Sequence, residues 1–359
     1  MILRSTRTIL ILVSLAFLAA ACVLPTPAVL PLITPTSAAS SDADWFSIYF
    51  SNPDSPTAFT YRGGPDDKLA TAIREARFSV DAAIYHINLW SIRDALIAAH
   101  NAGVTVRVVA ETKNMDETEI QELRQAGIPI VEDHRESFMH NKFMVIDNHE
   151  VWTSSMNFTV NGAYKNDNNL LRIRSSKLAE NYTTEFNEMF EQGMFGDHAI
   201  ANTPHPSITL DGSQVETYFS PDDGAAARIV RLIQNAQTSV SFMAFSFTSD
   251  QIAAALLERA ENGVNIVGVF DESQYYSNAG TEFDNLYDAG LAVYLDQNIY
   301  NMHHKVIIID RKIVITGSYN FSYSAEQRND ENVLIIHNAQ AAESYLDEFE
   351  RVLAKAISE

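Results

Sequence analysis

Apolar residues fall along this chain in short runs separated by polar turns. Lys142-Phe-Met-Val-Ile146 and Lys305-Val-Ile-Ile-Ile309 are bulky or β-branched beyond their first residue, which favours strands buried on both faces. Each is followed by a polar turn, Asp147–Glu150 and Asp310–Lys312, and then by a second apolar run, Val151-Trp-Thr153 and Ile313-Val-Ile315. The pattern predicts two β-hairpins. Other runs recur in the same order. Ser79–Tyr85 echoes Ser239–Phe245, Asn101–Val109 echoes Glu261–Val269, and Ala126–Val131 echoes Ala289–Tyr294. Between them, Leu69, Ile73 and Ala76, and then Ile252, Leu256 and Ala260, are spaced along one face of a helix. Thr248, Ser249 and Asp250 offer capping oxygens for the second of these. Each half therefore reads strand–helix–strand–helix–strand–hairpin, an α/β sandwich whose run-like strands imply a sheet covered on both sides.

Two halves of roughly 160 residues match ordinary domain sizes. The first is expected over 42–200 and the second over 213–359, joined by a linker at 201–212 that carries Pro204 and Pro206. Arg4 and Arg7 precede an apolar run, Ile9–Ala21, the pattern of a signal peptide over 1–21 and too short for a spanning helix. The run ends Leu18-Ala-Ala-Ala-Cys22, with the only cysteine of the chain. This resembles a bacterial lipobox, although the leucine stands four residues before the cysteine where the motif has three. The expectation is a lipoprotein acylated at Cys22 on the outer face of a bacterial membrane, the alternative being an ordinary secreted protein. The tether at 22–41 is uncharged, and Pro25, Pro27, Pro31 and Pro35 keep it extended. With no second cysteine, the domains rely on their cores for stability.

The polar residues flanking the hairpins form one pattern written twice. His140-x-Lys142-x4-Asp147 is followed by Ser154-Ser155-x-Asn157, and His303-x-Lys305-x4-Asp310 by Gly317-Ser318-x-Asn320. Every position recurs 163 residues later. Residues two apart in a strand share a face, so each histidine lies beside its lysine. The hairpin returns Ser-x-Asn to the same edge. Lysine supplies a point charge for a phosphate oxygen, while serine and asparagine supply donors. A neutral imidazole can attack phosphorus, and an imidazolium can protonate a leaving oxygen. A single copy could equally be a polar hairpin edge; two copies in the same strand context point to a shared chemical part.

The doubled pattern resembles the HKD motifs of the phospholipase D superfamily, and the resemblance extends from about Ser41 to the end of the chain. It implies two similar α/β sandwich domains about a pseudo-two-fold axis, with one active site at their interface. It also implies a metal-independent phosphodiesterase with a phosphohistidine intermediate and no cofactor. Carried over, His140 and His303 are the catalytic pair, Lys142 and Lys305 bind phosphate, and Asn157 and Asn320 assist, helped by Ser155 and Ser318. Asp147 and Asp310 complete the motifs, and they start the turns, which suits a structural part. Glu331 lies thirteen residues after Ser318, where family members carry an acid that holds the histidine; the matching position of the first half is Asn168. On that reading Glu331 supports His303 as the protonated acid, and His140, beside Asn168 or Asp167, is the neutral nucleophile. His304 is expected on the opposite strand face. His86, His100, His134 and His149 match no motif, and no zinc-ligand spacing is present.

The formal net charge is −21, and loss of the leader would remove two arginines and no acid. Nucleic-acid binding draws on clustered Lys and Arg, so the balance leans toward lipid or another small phosphodiester; the leading expectation is hydrolysis of phosphatidylcholine-type diesters. A nonspecific nuclease of the same superfamily, a phosphatidyl transferase and a catalytically inactive binding module are the competing readings. Intact motifs in both halves oppose the last.

Overall fold

The computed structural model describes residues 45–358. Cys22, the leader and the tether lie outside the described residues. The first half runs β1 (Phe46–Phe50), α1 (Pro65–Glu75), β2 (Ser79–Ile84), α2 (Trp90–Asn101), β3 (Thr105–Ala110), α3 (Thr118–Gln125), β4 (Ile130–Glu132), β5 (Lys142–Ile146), β6 (Glu150–Ser154), α4 (Val160–Tyr164), β7 (Asn169–Arg174) and α5 (Ser176–Gln192). The second runs β8 (Ser207–Leu210), β9 (Ser213–Ser220), α6 (Ala225–Gln234), β10 (Ser239–Ala244), α7 (Asp250–Glu261), β11 (Asn265–Phe270), α8 (Glu272–Ser277), α9 (Phe283–Asp288), β12 (Ala292–Leu295), β13 (Lys305–Ile309), β14 (Ile313–Gly317), α10 (Tyr323–Gln327), β15 (Glu331–His337) and α11 (Ala339–Ala356).

The two sheets share a seven-strand topology, to which the second adds β8 at one edge. Their orders are β1-β7-β6-β5-β2-β3-β4 and, read from the other edge, β8-β9-β15-β14-β13-β10-β11-β12. Strands joined through helices pair in parallel, β2 with β3 and β3 with β4, whereas the motif hairpins are antiparallel. The turns of those hairpins place Asp147 and Asn148, and Asp310 and Arg311, in the left-handed region. The aspartates also accept the backbone N–H groups of Arg77, Phe78 and Ser79, and of Gln237, Thr238 and Ser239. Each thus ties its hairpin to the start of the neighbouring strand.

Three apolar cores lie between five layers. One packs α1, α2 and α3 on the outer face of the first sheet. Another packs α6 and α7 on the outer face of the second. The central core holds inward residues of both sheets together with Leu178, Tyr182, Phe186 and Met189 of α5 and Tyr345, Leu346, Phe349 and Val352 of α11. Their spacing gives each helix an apolar stripe. Ser175 and Asn338 cap these helices through Leu178 N and Ala341 N. The segment expected as a linker departs from that reading: 207–210 forms β8, which pairs with β9 through a turn at Asp211 and Gly212. No described helix is long and apolar enough to cross a membrane.

Candidate active site

The halves meet through two short bridges related by the internal symmetry. Met139 pairs with Asp330, and Met302 with Asp167. His140 N donates to Asp330 O at 3.0 Å, and His303 N to Asp167 O at 2.9 Å. Each histidine is therefore anchored by the half it does not belong to.

The rings follow the same crossing. His140 Nδ1 lies 2.7 Å from Glu331 Oε2, and His303 Nδ1 lies 2.9 Å from Asn168 Oδ1. This corrects the expected pairing: Glu331 supports His140, Asn168 supports His303, and Asp167 reaches neither ring. Residue spacing within a half could not reveal it, because the partner comes from the other sheet. A carboxylate only accepts, so Nδ1 of His140 carries its proton and Nε2 keeps a lone pair. Asn168 is turned by donating Nδ2 to Gly162 O at 3.0 Å. Its Oδ1 then faces His303, which also holds its proton at Nδ1.

Lys142 and Lys305 are fully buried. Each ammonium donates to the carbonyl of its own histidine, at 2.6 and 2.7 Å. Each sits 4.6 Å from a ring centroid, Tyr85 for Lys142 and Phe245 for Lys305. The same two aromatics stand edge-on to the histidines at 4.7 and 4.4 Å. An ammonium has three protons, so two remain on each lysine for a bound anion. Burial pulls Lys142 down to about 7 and holds Lys305 well below its ordinary value, with the two ammonium groups repelling each other. Burial likewise pulls His140 down to about 4, against the opposing carboxylate of Glu331. His303 is pushed well down by burial and by Lys305 and Lys142. Glu331, although buried, is held below the usual carboxylate range by His140. Burial disfavours the ammonium form of both lysines, and a phosphate held between them would restore it, which is the electrostatic character of a phosphate-binding site.

Ser155 and Ser318 do not fit the phosphate-binding part expected of them. Both are fully buried. Ser155 Oγ donates to Asn168 Oδ1 at 2.8 Å and accepts Asn169 N at 3.1 Å. Ser318 hydrogen-bonds Glu331 and accepts Asn332 N at 3.0 Å. They aim the groups that aim the histidines. Asn157 and Asn320 are half-buried, and each has a side-chain oxygen without a hydrogen-bond partner, a polar deficit matched across the pseudo-two-fold. Asp147 and Asp310 stand at the far ends of β5 and β13 from the histidines. They belong to the motif and not to the reacting centre. Gly317 has φ of 142°, and a Cβ there would lie 2.2 Å from Asn332 O; Ser154 fits the equivalent position and bonds Met156 O. His304 is buried on the other strand face, 2.9 Å from Glu348 Oε1, as expected.

Sequence reasoning missed Glu111 and Asp271. Both are buried, and they accept Met139 N at 2.8 Å and Met302 N at 2.9 Å, just before each histidine. The repeat ending at Val109 and Val269 already pointed to them, since each lies two residues further on.

Known proteins resemble this chain in sequence and in fold. The family model described as "Cardiolipin synthase, PLD-like domain" matches twice, at residues 69–190 and 229–353. A phospholipase D of Rickettsia bellii is 37% identical over 156 residues, covering 41% of this chain and 76% of its own. The mitochondrial cardiolipin hydrolase of Mus musculus is 35% identical over 130 residues, covering 36% of this chain and 58% of its own. Among solved structures, phosphatidylserine synthase from Haemophilus influenzae superposes with a TM-score of 0.63 over 86% of both chains at 12% identity, a likeness of fold. The chain belongs to the phospholipase D superfamily, with one motif in each half.

Proposed function

We propose that the protein is a phospholipase D-type phosphodiesterase that cleaves head-group diesters of phosphatidylcholine-like lipids to phosphatidic acid. The observation that carries the reading is the Glu331–His140 pair beside two buried, anion-seeking lysines. His140 Nε2 attacks phosphorus, forming the N–P bond as the P–O bond to the head group breaks. The departing oxygen takes a proton from His303 Nε2, which bound phosphate holds in its charged form. Attack leaves the His140 ring positively charged, and Glu331 stabilises that charge. Asn168 exerts no such hold, so His303 gives up its proton readily. Water then attacks phosphorus, His303 takes its proton, and the N–P bond breaks. No step requires a metal, because the lysines supply the positive charge.

The acidic chain and the relatives named for phospholipid cleavage support a lipid substrate. A nuclease reading has its own support. Lys165 sits between Tyr61 and Tyr300, and Arg328 lies over Tyr323, a combination of cation and aromatic that suits single-stranded nucleic acid. Lys165 and Arg328 shortly precede the residues that hold the histidines. Residues 45–359, assayed on phosphatidylcholine vesicles and on single- and double-stranded DNA with excess EDTA, decide between them. Lipid turnover without DNA cleavage is expected. DNA cleavage alone overturns the lipid reading, and activity restored only by a divalent ion overturns the metal-free mechanism.

A further inference from the structure

One dipeptide of the opposite half holds each histidine at both backbone and ring: Asp330-Glu331 for His140 and Asp167-Asn168 for His303. The two aspartate side chains face away from the reacting atoms. Asp167 is buried, ion-pairs with Arg351 of α11, and accepts Asn298 Nδ2 at 2.8 Å. Asp330 is buried, ion-pairs with Arg135, and accepts Gly196 N at 2.5 Å. Arg135 and Asn298 hold the same place in the repeat, five residues before each histidine. Each histidine segment thus grips the dipeptide that grips its ring. Arg351 has no match in this scheme, since Glu188 stands at its place in α5. It bonds both oxygens of Glu348, whose Oε1 also lies 2.9 Å from His304, next to His303.

We propose that these are positioning residues acting on separate parts of the reaction. Arg351 and Asn298 hold the acid, His303, through Asp167-Asn168. Arg135 holds the nucleophile, His140, through Asp330-Glu331. The inference rests on the histidine roles given above. A planar guanidinium on a buried carboxylate fixes direction as well as charge. Without it the dipeptide shifts and the ring turns off line, and a misplacement of about 1 Å costs on the order of 10²-fold in rate.

The test compares two leaving groups in the first turnover, where the esters differ in how much protonation by the acid they need. Phosphatidylcholine is set against phosphatidyl-p-nitrophenol. For a DNA-cleaving enzyme, a thymidine dinucleotide is set against thymidine p-nitrophenyl phosphate. Arg351→Met and Asn298→Ala are expected to slow alcohol release at least about tenfold, yet nitrophenolate release less than about twofold, because that group needs little protonation. Arg135→Met is expected to slow both about equally. Circular dichroism confirms folding. Should Arg351→Met fail to fold, Asn298→Ala is judged by the same criterion. Equal slowing of both esters by these folded variants, or unchanged rates, overturns the proposal. Leaving-group sensitivity appearing in Arg135→Met instead also overturns it, because the histidine roles on which the assignment rests are then exchanged.

Discussion

Glu331, at the start of the last strand of the second half, lies 2.7 Å from the ring nitrogen of His140 in the first. Neither half therefore contains both members of this pair. The pairing couples the geometry of the interface directly to the chemistry, and it makes the two histidines unequal although their motifs are nearly identical. His140 has an anionic partner and His303 a neutral one.

That inequality predicts where a covalent adduct forms. His140→Ala and His303→Ala are each expected to abolish turnover of natural diesters with unchanged circular dichroism. On a p-nitrophenyl diester, His303→Ala should still trap a phosphohistidine on His140, while His140→Ala should trap none. Mass spectrometry of digests kept from acid locates the adduct. A wild-type adduct found on His303 and never on His140 reverses the roles.

Exchanging the partners should exchange their effects. Glu331→Gln keeps the shape but removes the anion and the enforced tautomer, so kcat should fall by on the order of 10²- to 10⁴-fold. Asn168→Asp adds a carboxylate beside His303. An added anion favours the imidazolium, so the acid stays charged to higher pH. The alkaline limb of the kcat profile should move upward. A downward shift, or none in a folded variant, counts against His303 as the acid.

The buried lysines should cost stability. Lys142 is pulled from its ordinary value to about 7 by burial, so between about 7 and about 10.5 the unfolded chain binds the extra proton. The penalty is full below that window and is gone above it. Lys142→Met should therefore raise Tm by a few degrees at pH 7, about 1–2 kcal/mol, while eliminating turnover. The gain should shrink as pH rises toward 10. Thermal melts of both proteins at pH 6, 8 and 10 check the trend, and a gain that grows with pH contradicts it.

Cys22→Ser should release the protein from membranes in cell fractionation. Stable anchoring needs more than one acyl chain, and a modified Cys22 at the leader boundary would supply them. Wild-type protein recovered wholly in the medium excludes the anchor.

The repeat was legible in the sequence because it rests on local rules. Alternation along a strand puts His140 beside Lys142 and His303 beside Lys305, and hairpin geometry returns Asn157 and Asn320 to the same edge. Helical spacing marked α1 and α7, and the same periodicity in Leu178, Tyr182, Phe186 and Met189 would have marked α5. What crosses between the halves was not legible. Within either half, Glu331 stands where it could serve His303, and Asn168 where it could serve His140; a 163-residue repeat is equally compatible with partners kept or exchanged. The choice is made by the parallel bridges that lay Asp330 against Met139 and Asp167 against Met302. Those bridges form because α5, α11 and the inward faces of both sheets bury one common core, and burial of that kind is set by the whole surface of each half, which no local spacing records.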